Sequence, residues 1–286
     1  MSPLISVIVP HYNDPVGLDL CLERLRAQNY PAADFEIIVA DNASPQGEAE
    51  IARLINGRAK LVVVRERGAG PARNGGVAAA QGSIFAFTDA DCQPDADWLA
   101  QGVKALESHD FVGGAMRVLT AEEGRMTPAE AFECVFAFDN EAYVQKKGFT
   151  VTANLFCPRK VFEQVGGFRV GVSEDVEWSL RAGTFGYRIG YAPGALVGHP
   201  ARRTWSELQG KWKRINAETY ALVLTGPQGR LRWLLKSLLV PWSALAHTPR
   251  VLTSPRLSSA EQRWSAMRMM YRLRMWRFFD ALRLAS

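Results

Sequence analysis

Two acids one residue apart, Asp89 and Asp91, stand at the end of the apolar run 84–88. Their oxygens are hard ligands, and delivered to a strand's C-terminal end they make a place for a divalent cation, which there commonly serves a phosphate. Turn and capping duty is the competing account of an isolated Asp-x-Asp. Arg73 falls in the first turn of an expected helix, where a guanidinium can meet a phosphate beside the positive helix end. Glu174, Asp175 and Glu177 crowd another helix start, an arrangement that the helix dipole alone would favour. His199 follows a strand-like stretch, where a single histidine is more often structural than a ligand.

These residues need a scaffold that collects them. Segments 5–10, 35–40, 61–64 and 84–88 read as buried strands and alternate with helical patterns, which argues for an α/β, Rossmann-like, mostly parallel sheet flanked by helices. Ligands of such sheets bind outside the carboxyl ends of the strands, so 10–14, Asp41 with Asn42, 65–73 and Asp89 with Asp91 should share one rim. Asp14-Pro15 reads as an N-cap followed by proline at the first helical position. The glycines of 68–76 follow the third strand and lack dinucleotide spacing, and no phosphate loop of the G-x-x-x-x-G-K-[ST] type is present. A helix is expected from Pro128, a charged loop at 145–148, a strand at 150–158, helices at 159–165 and 174–182, and a strand at 186–193.

The 286 residues suit one large α/β domain with an extension. Charge is asymmetric: residues 1–200 carry 18 Lys+Arg against 25 Asp+Glu, whereas 201–286 carry 16 against 4. The basic third therefore faces something acidic, a membrane surface or a polyanion. The four cysteines form no C-x-x-C pair, which points away from zinc sites and disulfides and toward a reducing compartment. The N-terminus has no basic stretch and its apolar run ends at Pro10, so no signal peptide is expected. Nor does any apolar run reach membrane-spanning length.

As an ordered set, Val7-Ile-Val-Pro-His-Tyr-Asn13, Ile38-Val-Ala-Asp-Asn42, Ala72-Arg-Asn-Gly75, Thr88-Asp-Ala-Asp91, Thr152-Ala-Asn-Leu155 with Gly166-Gly-Phe168, Ser173-Glu-Asp175 and His199 resemble the family 2 glycosyltransferases of the GT-A fold. The resemblance implies a GT-A catalytic domain over 1–200, with a nucleotide-binding half (1–118) and an acceptor-side half (119–200), followed by a basic helical extension (201–286). It implies that Asp41 recognises the nucleotide base, with the stretch Pro10-His-Tyr-Asn13 forming the floor of that pocket, Pro10, Tyr12 and Asn13 foremost. Arg73 would sit by base or diphosphate and Asp89 by the ribose or metal shell. Asp91 would be the main protein ligand of Mg²⁺ or Mn²⁺, with His199 a further ligand, and Asp175 the general base. The family's common Asp-Gly-Ser-x-Asp turn is here Asp41-Asn-Ala-Ser-Pro, which leaves the roles of Asp41's neighbours in doubt.

The implied reaction is inverting transfer of a sugar from a nucleotide-diphosphate sugar, with a uridine donor the family's commonest, to a lipid-linked or polysaccharide hydroxyl. Its chemistry asks for charge stabilisation on the leaving diphosphate and for one base on the opposite face of the sugar. Gln209-Gly-Lys-Trp212 is one residue short of the Gln-x-x-Arg-Trp signature of processive synthases, which favours addition of one sugar per encounter.

In the tail, Thr204-x-x-Glu207 forms a capping-box pattern ahead of Trp205, Leu208, Trp212, Ile215, Thr219 and Leu222 at helical spacing. Leu231, Leu234, Leu235, Leu238, Leu239 and Trp242 share one face. Trp264, Met267, Tyr271, Met275, Phe278 and Leu282 share another, flanked by six arginines from Arg263 to Arg283. Such stripes suit helices lying on an anionic membrane, peripheral to its cytoplasmic face; packing on the catalytic domain or pairing into a homodimer is the alternative. Two other functions compete. A nucleic-acid-binding protein would interleave aromatics as stacking platforms, and the tail does not, so no nucleic-acid partner is expected. A nucleotidyltransferase would need a glycine-rich basic loop after the first strand, where this chain has Pro10-His-Tyr-Asn-Asp14.

Overall fold

The structure, a computed structural model, describes residues 4–122, 124–224, 226 and 228–285, with the side chain of Leu222 outside that set. The first three residues, on which the reading of the N-terminus partly rests, therefore lie outside the described residues, as does the side chain of Leu222 in the expected apolar stripe.

The N-terminal alternation folds as β1 (Ile5–His11), α1 (Pro15–Arg26), β2 (Phe35–Asp41), α2 (Glu48–Ile55), β3 (Lys60–Val63), α3 (Ala69–Ala78) and β4 (Ile84–Phe87). The sheet goes on through β5 (Gln93–Pro94), α4 (Trp98–Ala105), β6 (Phe111–Leu119), α5 (Pro128–Phe136), α6 (Asn140–Lys147), β7 (Leu155–Pro158), α7 (Arg159–Val165), α8 (Glu174–Thr184) and β8 (Ile189–Pro200). Strand order is β3-β2-β1-β4-β7-β6-β8-β5. β3, β2, β1 and β4 run parallel, while β7 pairs antiparallel with β4 and β6, and β5 antiparallel with β8. The fold is the expected α/β architecture, with β1 and β4 buried along almost their whole length and β2 along its last five residues, whereas β3, at the edge of the sheet, opens with exposed Lys60 and is otherwise half-buried.

Local chemistry explains several boundaries. Asp14 accepts from the Gly17 amide at 3.0 Å and Pro15 opens α1, as the dipeptide requires. α3 lies close on the sheet, because a Cβ on Gly76 would meet Ile8 Cγ2 at 2.6 Å. The segment 145–148, expected as a loop, is the last turn of α6 closed by left-handed Gly148. Residues Thr152–Asn154 form a 3-10 turn ahead of β7, and β8 runs on to Pro200, carrying His199 near its end.

Contacts divide the chain into two units, one running to Arg117 and including Phe138–His199, the other made of Val118–Ala137 and the residues from Pro200 onward. Sequence grouped 119–137 with the acceptor-side half. The structure groups it with the tail, because α5 buries Ala129, Ala131, Phe132 and Val135 in one cluster with Leu208, Ala266, Met269 and Leu273. Periodicity tells which face of a helix is apolar, not which partner covers it.

The second unit adds α9 (Trp205–Leu224), α10 (Gly229–Leu238), α11 (Trp242–Leu252) and α12 (Ala260–Ala285). Glu207 and Thr204 close the start of α9, Thr204 accepting from the Glu207 amide and Glu207 from the Arg203 amide. α12 departs from its expected stripe: it buries Gln262, Ser265, Ala266, Met269, Met270, Leu273, Ala281 and Ala285, while Trp264 stays 63% exposed. Small residues let α5 approach closely, which outweighs the size of the side chains on the neighbouring face.

Candidate active site

Parallel pairing of β1 with β2 sets His11 opposite Asp41 at the carboxyl end of the sheet. His11 Nδ1 lies 2.8 Å from Asp41 Oδ1, and His11 Nε2 accepts from the Asp14 amide at 3.2 Å. A neutral ring whose Nε2 accepts carries its proton on Nδ1, so His11 donates to Asp41. Ser44 adds two more donors, Oγ to Oδ1 at 2.5 Å and the amide to Oδ2 at 3.0 Å. Asp41 is thus 1% exposed and already holds three hydrogen bonds. The resemblance gave it the nucleotide base; the structure turns its carboxylate inward, onto His11 and Ser44. What reaches solvent at this corner is Tyr12, 62% exposed, with the half-buried Pro10 before it and Asn13 in the left-handed region after it. Asn13 donates its amide to Ser44 Oγ at 2.9 Å and accepts from Gln46 Nε2 at 2.7 Å.

Sequence reasoning placed His11 within the pocket floor without a role of its own and passed over Ser44. The Asp-x-x-Ser spacing of 41–44 is a signal that could have found the second, since a side chain accepting three residues on is a common turn device. Asn42, in doubt from sequence, secures the chain nearby. Its side-chain amide bonds the Val64 and Glu66 carbonyls and receives the Gly68 amide, which pins the loop that enters α3.

On α3, Arg73 is 3% exposed and forked between two carboxylates, with Nη2 donating to Asp89 Oδ1 at 2.6 Å and Nη1 to Glu174 Oε1 at 3.0 Å. Burial works against its charge, but Asp89 and Glu174 outweigh that and hold the guanidinium above its ordinary pKa. The resemblance placed Arg73 by base or diphosphate and Asp89 by ribose or metal. The structure first joins them to each other, and joins both to the start of α8.

The first turn of α8 sorts its three acids by partner. Glu174 goes to Arg73, and Glu177 goes to Arg181 at 2.9 Å and Arg169 at 3.1 Å. Asp175 accepts from Ser173 Oγ and from the Val176 amide, each at 2.8 Å and both on Oδ1. Burial pushes its carboxyl above the ordinary aspartate range, the Glu174 charge adds to the rise, and the two hydrogen bonds and Arg73 oppose it. A carboxylate so placed is a stronger base than one in water.

Asp91 and His199 are brought together by the two residues of β5. Gln93 pairs with Gly198, so the turn before β5 meets the end of β8, and His199 Nε2 stands 3.5 Å from Asp91 Oδ2. The ring of Phe138 backs His199 at 4.6 Å. Cys92 Sγ completes a group whose ligand atoms all lie within 4.8 Å of one another. A carboxylate oxygen and an imidazole nitrogen suit Mg²⁺ or, better, Mn²⁺. The Cys92 thiol is buried, and burial with the nearby Asp89 and Asp91 charges holds it protonated, so Asp91 and His199 are the pair that fits such a cation.

All nine residues singled out in the sequence, from Pro10 to His199, thus belong to one unit. The family model of glycosyl transferase family 2 matches residues 6–177. The chain is 34% identical over 208 residues to glycosyltransferase AglE of Haloferax volcanii, covering 70% of this chain and 68% of that protein. It is 25% identical over 232 residues to the probable glycosyltransferase YdaM of Bacillus subtilis, covering 75% of this chain but only 55% of the relative. Among solved structures, the mannosyltransferase PcManGT of Pyrobaculum calidifontis, in complex with GDP-Man and Mn²⁺, aligns with a TM-score of 0.64 at 20% identity over 99% of this chain and 86% of that one. GalNAc-T7 with UDP, GalNAc and Mn²⁺ aligns at 0.55 and 18% identity, over 70% of this chain and 44% of that one. At such identities the likeness is one of fold.

Proposed function

Since the chain belongs to glycosyl transferase family 2 and is thereby a sugar-transferring enzyme, we propose that it moves a single sugar, with inversion, from a nucleoside diphosphate sugar, a uridine donor foremost, to a hydroxyl of a lipid-linked or polysaccharide acceptor. The observation that carries this reading is the chain Asp89–Arg73–Glu174, which ties the Asp-x-Asp turn to the helix start bearing Asp175.

In this reading Tyr12 offers its face to the base, with Pro10 and Asn13 beneath, while Asp41 positions that floor through Ser44 and His11. Asp91 and His199 would hold Mg²⁺ or Mn²⁺, which when bound supplies Lewis-acid stabilisation of the leaving diphosphate. Asp89 keeps one oxygen on Arg73 and turns the other to the ribose. Asp175 has both of its bonds on Oδ1, so Oδ2 takes the acceptor proton as the acceptor oxygen attacks the anomeric carbon. The bond to the diphosphate oxygen breaks on the opposite face, the electron pair leaves with the diphosphate, and the configuration inverts. The test is a screen of nucleotide sugars with and without Mn²⁺: one of them should be turned over only with metal, and turnover of none would sink the assignment.

The second unit supplies a further part of the proposal, an anionic membrane surface as partner. Leu231, Leu235, Leu238, Leu239, Trp242 and Leu245, on α10, α11 and the turn between them, are each more than half exposed. Arg230, Arg232 and Lys236 are exposed beside them, and residues 219–260 hold no Asp or Glu. Among the described residues no helix is long and apolar enough to cross a membrane, so the contact would be peripheral, at the cytoplasmic face. α12 drops out of this role, since its inner stripe packs on α5. The alternative occupant of the exposed leucines is a second copy of the chain.

A further inference from the structure

Within the second unit a cavity of about 500 Å³ opens between α9 and α12, a volume in the range of small-molecule sites. α12 lends it Trp276, Phe279, Asp280 and Arg283, which share one helical stripe. α9 faces them with Gln209, Gly210 and Lys213. Gly210 keeps the space open: a Cβ built there would meet nothing within 4 Å. Glycine is a poor helix former, so its place inside the 20 residues of α9 answers to the cleft and not to the helix.

The two walls differ in kind. Phe279 is 61% exposed and Trp276 half-buried, so the α12 side presents aromatic surface. Asp280 is buried and accepts from Asn216 and Arg283, each at 3.0 Å and each on its own oxygen. One acid and one base of the lining are thereby matched. On the α9 side, half-buried Gln209 and exposed Lys213 are not: among the described residues neither side chain has a hydrogen-bond or charge partner. A wholly apolar ligand would leave this amide and ammonium idle, and a bare anion would leave the rings idle. A pyranose engages both kinds of wall. Its C–H face lies on an aromatic ring, while its edge hydroxyls both donate and accept, as a primary amide does. A carboxylate on the sugar would give Lys213 its counter-charge.

We propose that this cleft is a saccharide-binding site, distinct from the donor site, for a uronic-acid residue of a glycan. The sugar ring lies against Trp276 and Phe279, Gln209 meets its hydroxyls, and Lys213 meets its carboxylate. Binding here needs neither metal nor nucleotide, so the site stands or falls apart from the transfer reading.

The test titrates the full chain calorimetrically in EDTA, at physiological ionic strength, with tetramers of glucuronic acid and of galacturonic acid. Cellotetraose is the neutral control, and a tetra-aspartate peptide is the control for charge alone. Wild type should bind a uronate tetramer at least about tenfold more tightly than either control, the worth of one charge-assisted hydrogen bond. Lys213→Met should remove that advantage. Gly210→Leu fills the cleft and should abolish binding, yet melt no lower than wild type, because leucine is the better helix former and its Cβ enters open space. UDP, titrated in the same buffer, separates a nucleotide from a sugar. Binding of neither uronate tetramer, equal binding of tetra-aspartate, unchanged affinity in either variant, or a Gly210-dependent response to UDP in place of uronate overturns the proposal.

Discussion

Arg73 and Asp89 meet at 2.6 Å, the arginine buried and the acid still 31% exposed. The first acid of the Asp-x-Asp is therefore half committed before any substrate arrives, and its partner is also bonded to Glu174 on α8. Lysine at position 73 keeps a charge but cannot fork. Arg73→Lys should therefore cost about 3 kcal/mol in chemical denaturation, since it strands one of two carboxylates at a buried cation. It should lower kcat more than it raises the donor KM; a variant of wild-type stability and kcat would show the fork to be idle.

Asp175→Asn should cut transfer by about a thousandfold, within the range for losing a general base. Donor Kd, measured without acceptor, should stay within about twofold, as expected for a group acting in the transition state. Transfer that survives the change removes Asp175 from the mechanism.

The raised pKa of Asp175 fixes two signs. Only the ionised form accepts a proton, so kcat/KM should climb with pH through a value above that of an ordinary aspartate. Glu174→Gln removes a neighbouring negative charge and frees Arg73 toward Asp175, and both effects move that limb to lower pH. A carboxyl raised in the folded state also subtracts stability once pH passes its unfolded value. Asp175→Asn should accordingly melt higher than wild type at neutral pH, and a lower melting point would contradict the burial argument.

In the second unit Glu133 is 1% exposed, with Lys211 at 2.9 Å and Arg202 at 3.1 Å. Burial alone would raise its pKa, but the two cations reverse that and hold it below the usual glutamate range. Its contribution is then fully present above the unfolded pKa and lost as pH falls through the depressed one. Glu133→Ala should cost about 3 kcal/mol at neutral pH, with the gap closing in acid. Denaturation curves at several pH values would show a constant gap if the pairing were unimportant.

For the exposed leucines, Leu235→Glu with Trp242→Glu should abolish sedimentation with phosphatidylglycerol vesicles while leaving donor turnover near wild type. If the same pair of changes instead converts a dimer into a monomer, the face belongs to a second copy of the chain.

Much of this was legible from residue order. Apolar runs located β1, β2 and β4 because strands buried on both faces have no other way to read, and Asp14-Pro15 fixed the start of α1 because an N-cap is a local event. The acids, arginine and histidine of the site could be named in order as well. Their partners could not. That Asp41 would be closed off by His11 and Ser44, or that Arg73 would reach Glu174 across 101 positions of chain, depends on register between distant elements. The tail misled for a related reason. Large aromatic side chains dominate a periodic pattern, yet α12 buries a face of alanines, methionines and Leu273 and leaves Trp264 exposed, and the apolar face left exposed lies on α10 and α11.

β5 is two residues long and ends the strand order. The spacing between Asp91 and His199 therefore depends on this short edge pairing with β8 and not on the parallel core. In the proposed reading a spent nucleotide has to leave after each turnover, and parting this short edge would loosen the carboxylate and the imidazole in a single movement.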